Sequence, residues 1–267
     1  ISDIEINEEF DLDFSKKKVF EKAFKMAFNQ LTSMITTSNY KKKFQNIEIS
    51  TIKSLIESFN VSGERFIKNQ YIAKFNVNFD KRETLNFFEK KNIFPSTPKK
   101  LDVLIIPVLV NTNEESLLIF NENPLYEKWS ENPENYYLIN YILPNEDIED
   151  RNFIKLNFEF LEEYNFNEII KKYDIENYII NIAYQSGNNL KIFSKVKFNN
   201  DLKISNQVYQ KVELSEENSL KELIKELKVT YEDIWKELNI INTSIKLPIR
   251  IILSSKDNEK IQLLKKH

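Results

Sequence analysis

Four carboxylates lie within five residues, directly after a predicted strand and a proline, in the segment Leu143-Pro144-Asn145-Glu146-Asp147-Ile148-Glu149-Asp150-Arg151. If Asn145 caps a short helix, Asp147 and Asp150 fall three residues apart on one face of that helix. Such carboxylates could hold a hard cation or present an acidic face to a basic partner. The segment therefore supplies a candidate binding surface, made of Glu146, Asp147, Glu149, Asp150 and Arg151.

A structural role explains the same residues and is the interpretation we favour. Acidic side chains in a first helical turn stabilise the helix dipole and accept hydrogen bonds from free N–H groups. The segment also lacks the glycine that the sixth position of a twelve-residue calcium loop requires. We assign no metal, no cofactor and no catalytic residue to it.

Several chemistries are excluded by residue types that the chain lacks. It has no cysteine, one histidine at the last position, His267, and two glycines, Gly63 and Gly187. Thiolate nucleophiles, serine–histidine systems, cysteine-ligated metals and glycine-rich phosphate loops are therefore absent. We predict that the protein is not an enzyme. Paired-carboxylate hydrolysis stays open, because it needs only two acids in a cleft and the chain has 41.

Charge and composition narrow the class of partner. The chain has 267 residues and a net charge of −3, with both signs interspersed, so we predict no nucleic-acid partner. The excess of Lys, Asn, Ile, Phe and Tyr is typical of an A+T-rich genome. No window of 18 to 20 apolar residues predicts a membrane span.

Hydrophobic periodicity predicts an α+β fold. Spacings of three and four indicate a helix ending near Thr36, and strict alternation over Tyr71–Phe79 indicates a strand. Leu101–Val110 has the continuous apolar character of a strand buried on both faces. A helix over Ser50–Phe59 and a turn at Gly63 are predicted between the first two elements. Trp129 and Trp235 fall in predicted helices and are interpreted as core anchors.

The remaining predicted elements lie in the second half of the chain. The loop Ser186-Gly187-Asn188-Asn189 is typical of a tight hairpin. A strand is predicted over Gln207–Leu214, followed by a helix. A strand over Leu247–Leu253 and a helix opening near Asp257 complete the prediction.

The breaker Phe94-Pro95-Ser96-Thr97-Pro98 marks a predicted module boundary. We predict two or three small mixed α/β modules in series, with antiparallel or mixed sheets and amphipathic helices on one face. Their bounds are 1–98 for an N-terminal α+β module, 99–200 for a central module with the acidic segment, and 201–267 for a C-terminal helix-strand module.

The order of these features resembles a bacterial family of exported proteins known as domain of unknown function 2066. Lys18–Ala27 resembles the family's first helix, and Tyr71–Asp80 resembles its long strand. Val103–Val110 occupies the position of the family's strand after a proline-containing linker. Leu143-Pro144 with Asp147 and Asp150 fits its Leu-Pro-x-x-Asp-x-x-Asp pattern, and Tyr173-Asp174 resembles a Tyr-Gly-Ala-Asp region without the glycine.

The resemblance implies export to the periplasm of a Gram-negative bacterium, and a leader removed before Ile1 would explain a start without methionine. It implies no known reaction. We therefore expect a non-catalytic envelope protein that binds another protein through exposed strand edges or the acidic segment. The alternative is a periplasmic protein that binds a small molecule or glycan, or a carboxylate-dependent hydrolase, with a pocket between modules near Trp129 and the acidic segment.

Overall fold

The structure is a computed structural model, and it describes residues 1–129, 131 and 137–241. Over these residues the chain forms an α+β fold with two separate sheets, as the sequence predicts. The strands are β1 (Ile4–Glu9), β2 (Ile56–Ile67), β3 (Gln70–Phe79), β4 (Leu101–Asn111), β5 (Ser116–Ile119), β6 (Ile139–Ile142), β7 (Tyr178–Ser186), β8 (Asn189–Phe198) and β9 (Asp201–Tyr209). The helices are α1 (Lys16–Ile35), α2 (Lys41–Phe44), α3 (Ile49–Ser54), α4 (Lys81–Lys90), α5 (Pro124–Trp129), α6 (Ile148–Leu156), α7 (Asn167–Ile170) and α8 (Glu217–Leu238).

The first sheet is antiparallel, with the strand order β1-β3-β2, and α1 packs across one face of it. Alternate residues of β3 point into this core, which is why Tyr71, Ala73, Phe75 and Val77 are fully buried. The predicted alternation of this strand is confirmed.

The predicted helix over Ser50–Phe59 is wrong beyond its first turn. The helix α3 ends at Ser54, and β2 begins at Ile56 and pairs with β3 along its length. Pairing with β3 overrides the local helical spacing, because whether a segment forms a strand depends strongly on its neighbouring strands. Gly63 has a φ of +62° and lies at a register shift within β2 rather than in a turn.

The second sheet has the order β5-β4-β7-β8-β9, and β4 and β7 are parallel. The short strands β5 and β6 share one edge of β4, because β6 pairs with Leu101–Leu104 and β5 with Val108–Asn111. Pro107 falls between these two partners, where a missing N–H is tolerated. The hairpin at Gly187, with a φ of +56°, is confirmed.

Helices cover both faces of the second sheet, which differs from the predicted one-sided packing. Helices α5 and α8 pack on one face, and α6 and α7 pack on the other. Strands β4 and β7 carry apolar side chains on both faces, so each face needs cover. Both Trp129 and Trp235 are buried in the α5–α8 layer, which confirms them as core residues.

Strand β9 and helix α8 belong to the same sheet and core as residues 101–198. The predicted strand over Gln207–Leu214 starts too late, because β9 begins at Asp201. That residues 1–98, 99–200 and 201–267 form separate modules stays a prediction. The predicted strand Leu247–Leu253 and the helix after it lie outside the described residues. In the part of the chain that the structure describes, no helix has the length and apolar character to span a membrane.

Candidate functional site

The acidic segment forms the start of α6. Asp147, rather than Asn145, is the N-cap, and its Oδ1 accepts a hydrogen bond from the Glu149 N–H at 2.7 Å. The Asn145 N–H instead donates to the hydroxyl of Tyr173 at 2.6 Å. Because Asn145 makes this contact with Tyr173 instead of capping the helix, the N-cap of α6 lies two residues later than predicted.

A lysine from the turn after α7 bridges the two predicted aspartates. Lys172 Nζ lies 2.8 Å from Asp147 Oδ2 and 2.7 Å from Asp150 Oδ1. The hydrogen bond from Lys172 lowers the pKa of Asp147, and the hydrogen bonds that Lys172 donates to both aspartates raise the pKa of Lys172. Asp150 is fully buried, and its ion pair with Lys172 neutralises its charge inside the fold.

Arg151 organises the other half of the segment. Its guanidinium lies 2.7 Å from Glu146 and 2.9 Å from Glu122, which precedes α5. Glu149 is exposed and stands apart from both ion-pair groups. The structure thus brings together Asp147 with Asp150 and Glu146 with Arg151, and most of these charges bind within the chain. A role as a binding surface stays a prediction for this segment.

The outer edge of β9 is a second candidate, and sequence reasoning missed it. Strand β9 ends the order of the second sheet, and its outer side pairs with no strand of the described chain. The two-residue turn after Phe198 makes Phe198 and Asp201 a hydrogen-bonded pair. The ladder then alternates, so the residues that direct their N–H and C=O groups outward are Leu202, Ile204, Asn206 and Val208.

The same edge exposes three apolar side chains on one face of the sheet. Leu202, Ile204 and Val208 are 54%, 56% and 69% exposed, which is high for aliphatic residues in a strand. They stand directly opposite three lysines of β8, in the pairs Leu202–Lys197, Ile204–Lys195 and Val208–Lys191. This surface, which we name the β9 edge, combines backbone groups that no described strand pairs, apolar side chains and positive charge.

The other long edge strand, β2, also exposes large apolar residues, but these already have partners. The Phe59 ring lies 5.0 Å from that of Phe24 in α1, and the Phe66 ring lies 4.9 Å from that of Phe10. The sequence signal for the β9 edge was the alternation of Leu202, Ile204 and Val208 beside the Asn199-Asn200 turn.

Comparison of the chain with protein-family models, with curated proteins and with solved structures finds no match. The resemblance to the exported family therefore stays a prediction, and the argument for a binding site rests on the geometry.

Proposed function

We propose that this chain is a non-catalytic protein of the bacterial cell envelope that acts by binding another protein. The binding site is the β9 edge, and the partner adds an extended segment alongside β9. The observation that carries the proposal is a strand edge that pairs with no strand of the described residues and exposes three apolar side chains. Natural proteins normally shield such edges with charges, proline or a covering element, because an open edge recruits a further strand.

Charge identifies the kind of segment that fits. Lys195 and Lys197 lie one strand inward from the edge, and neither forms an ion pair with a described residue. A segment that carries apolar and acidic residues two positions apart, and therefore on the same face of the added strand, would place apolar side chains against Ile204 and its neighbours. Its carboxylates would reach across toward these two lysines.

The opposite face of the same edge supports this geometry. A groove of about 560 Å³ runs between β9 and α8, with Gln207 and Tyr209 on one side and Glu226 and Val229 on the other. A strand added to β9 would direct every second side chain toward this groove. Both faces of an added segment would therefore find contacts.

The envelope location is part of the proposal and rests on the sequence resemblance. Cell fractionation of the source organism tests it, with the protein expected in the periplasmic fraction. Recovery in the cytoplasmic fraction alone would contradict the location without affecting the β9 edge.

The binding proposal is tested by crosslinking the protein in the organism that makes it, followed by affinity purification and mass spectrometry. We expect a specific protein with crosslinks that map to β9. The decisive variant is Ile204→Glu, which places a carboxylate opposite Lys195 and so forms a cross-strand pair compatible with the fold. It removes an apolar contact and repels an acidic segment, so we expect the partner to be lost.

The matched control is Ile67→Glu, which changes a residue of similar exposure, 45%, on the edge strand of the other sheet. We expect this variant to retain the partner. Equal recovery from both variants would refute the β9 edge as the binding site. Light scattering of the purified chain is a further check, because a dimer abolished by Ile204→Glu would assign the edge to a second copy instead.

A further inference from the structure

A second site lies between the first sheet's helix α1 and helix α8, away from the β9 edge. A cleft of about 420 Å³ is lined on one side by Thr32 of α1 and by Thr36, which directly follows that helix, and on the other by Glu232 and Lys236 of α8. Its volume is within the range of small-molecule sites. The predicted pocket lay between modules, near Trp129 and the acidic segment. This cleft also lies between the two sheets, but neither Trp129 nor the acidic segment lines it.

Glu232 is a buried carboxylate that is only half satisfied. It is 1% exposed, and its Oε1 accepts hydrogen bonds from the N–H groups of Leu138 and Ile139, both at 2.7 Å. Its Oε2 has no hydrogen-bond partner among the described residues. Seven buried side-chain polar atoms of the described chain lack a partner, and Glu232 Oε2 is the one that belongs to a residue of this cleft.

Lys236 is a buried ammonium group one helical turn further along the same wall. It is 7% exposed, and the nearest carboxylate oxygen, on Asp233, is 4.0 Å from its Nζ. Asp233 itself is engaged, because it accepts hydrogen bonds from both the N–H and the hydroxyl of Ser38. Burial lowers the pKa of Lys236 and raises the pKa of Glu232, as expected for charges held out of water.

The cleft therefore presents an acceptor and a donor that the fold leaves short of partners. A buried polar group without a partner is costly, and such groups concentrate where a ligand completes them. Two more lysines, Lys41 and Lys225, are exposed on the cleft walls and form no ion pair with a described residue. Against the two carboxylates of Glu232 and Asp233, the three lysines give the lining of the cleft a formal net charge of +1.

We propose that this cleft binds a small carboxylic acid that carries a hydroxyl or amino donor close to its acid group. The acid group binds Lys236, with Lys41 and Lys225 contributing positive charge at the walls. The donor binds Glu232 Oε2. Because that oxygen is covered, side chains at the base of the cleft rotate when the ligand enters, as is common at binding sites.

Sequence carries a signal for this site that the apolar periodicity hides. The positions Leu220, Ile224, Lys228, Glu232 and Lys236 form one row of α8 at four-residue spacing. The row begins apolar and continues charged, yet all five side chains are buried. Charges on the buried row of an amphipathic helix are rare unless they are paired or functional.

The test is calorimetric titration of the purified chain, which needs no protein partner and is therefore independent of the β9 edge. The probes are D-glucuronate, with hydroxyl donors, and L-glutamate, with an amino donor. The controls are D-glucose, which lacks the acid, and glutarate, which lacks the donor. We expect one of the two probes to bind at least about tenfold more tightly than either control, and the better probe identifies the donor as hydroxyl or amine.

Three variants locate the site. Glu232→Gln keeps an oxygen for the two backbone N–H groups, and Lys236→Met keeps the length of the side chain; each should weaken binding about tenfold or more. Glu217→Gln, in the exposed first turn of the same helix, is the matched control and should bind within about twofold of the unchanged chain. If Glu232→Gln fails to fold, Lys236→Met and Lys41→Met carry the test. Binding of glutarate as tight as the better probe, no heat from either probe, or unchanged affinity in the folded variants would overturn the proposal.

Discussion

Replacing Tyr231 with phenylalanine should destabilise the second sheet by removing one buried oxygen atom. The Tyr231 hydroxyl accepts a hydrogen bond from Asn181 Nδ2 at 2.7 Å and shares another with Ser194 Oγ at 2.8 Å. All three side chains are buried at the centre of the layer between α8 and the sheet. Burial also raises the pKa of Tyr231 to about 12, so the hydroxyl is neutral at physiological pH.

The expected cost follows from what the change leaves behind. Two hydrogen bonds are lost, and the Asn181 amide keeps a buried N–H donor with no acceptor, on a side chain whose Oδ1 already lacks a partner. Each such loss costs about 1 to 3 kcal/mol, which gives a total of about 2 to 6 kcal/mol. This is a large fraction of a stability of about 5 to 15 kcal/mol.

Urea unfolding followed by tryptophan fluorescence measures the effect, because the Trp129 ring lies 6.2 Å from the Tyr231 ring. A companion variant with Tyr231→Phe, Asn181→Leu and Ser194→Ala removes every polar group of the trio. It should be at least about 1 kcal/mol more stable than Tyr231→Phe alone, because no donor is left unpaired.

The control is Tyr164→Phe, whose hydroxyl contacts Glu168 at the surface and should matter by less than about 0.5 kcal/mol. A Tyr231→Phe variant as stable as this control would refute the reasoning. So would a triple variant that is less stable than the single one.

Three further outcomes are expected. Gly187→Ala should lower the free energy of unfolding by about 1 to 2 kcal/mol in urea titration, because the φ of +56° is strained for alanine; an unchanged midpoint would contradict this. Because Lys172 lowers the pKa of Asp147, that carboxylate contributes stability that is present above its unfolded pKa of about 3.9 and is lost as pH falls through the folded pKa. Asp147→Asn should therefore be less stable than the unchanged chain at neutral pH, and the difference should shrink at pH 3; a pH-independent difference would argue against the ion pair. Trp235→Phe should cost at least about 1 kcal/mol in thermal unfolding, because its indole N–H donates to the Lys99 carbonyl at 2.8 Å and phenylalanine leaves that acceptor unpaired.

The elements that sequence predicts well are those whose own pattern decides their structure. The alternation of β3 and the continuous apolar run of β4 each fix a strand before any partner is considered. The hairpin at Gly187 follows in the same way, since a two-residue turn needs backbone angles that glycine supplies easily. For β2 the local pattern is ambiguous, and the strand exists because β3 offers a ladder. The turn that joins them is at Lys68 and Asn69, both with positive φ, and not at Gly63.

The charged sites were less predictable because their partners are distant in the chain. The acidic residues stand out in sequence, yet their neutralisation by Lys172 depends on how α6 and α7 pack on the sheet. Glu232 is placed by the N–H groups of Leu138 and Ile139, more than 90 residues earlier. Sequence shows which residues carry charge, whereas packing decides which charges are buried.

The parallel pairing of β4 with β7 has a consequence for the order of events during synthesis. The first sheet and its helices are complete by residue 93, so this part has all of its core once that point has left the ribosome. Strand β4 has eight consecutive buried positions that end at Val110 and include Pro107. About 70 further residues must be synthesised before β7 can pair with it, and more before α8 can cover it. Nascent chains stalled between these points would present a long apolar strand that still lacks β7 along one edge and α8 over one face, and we expect chaperones to bind them most strongly there.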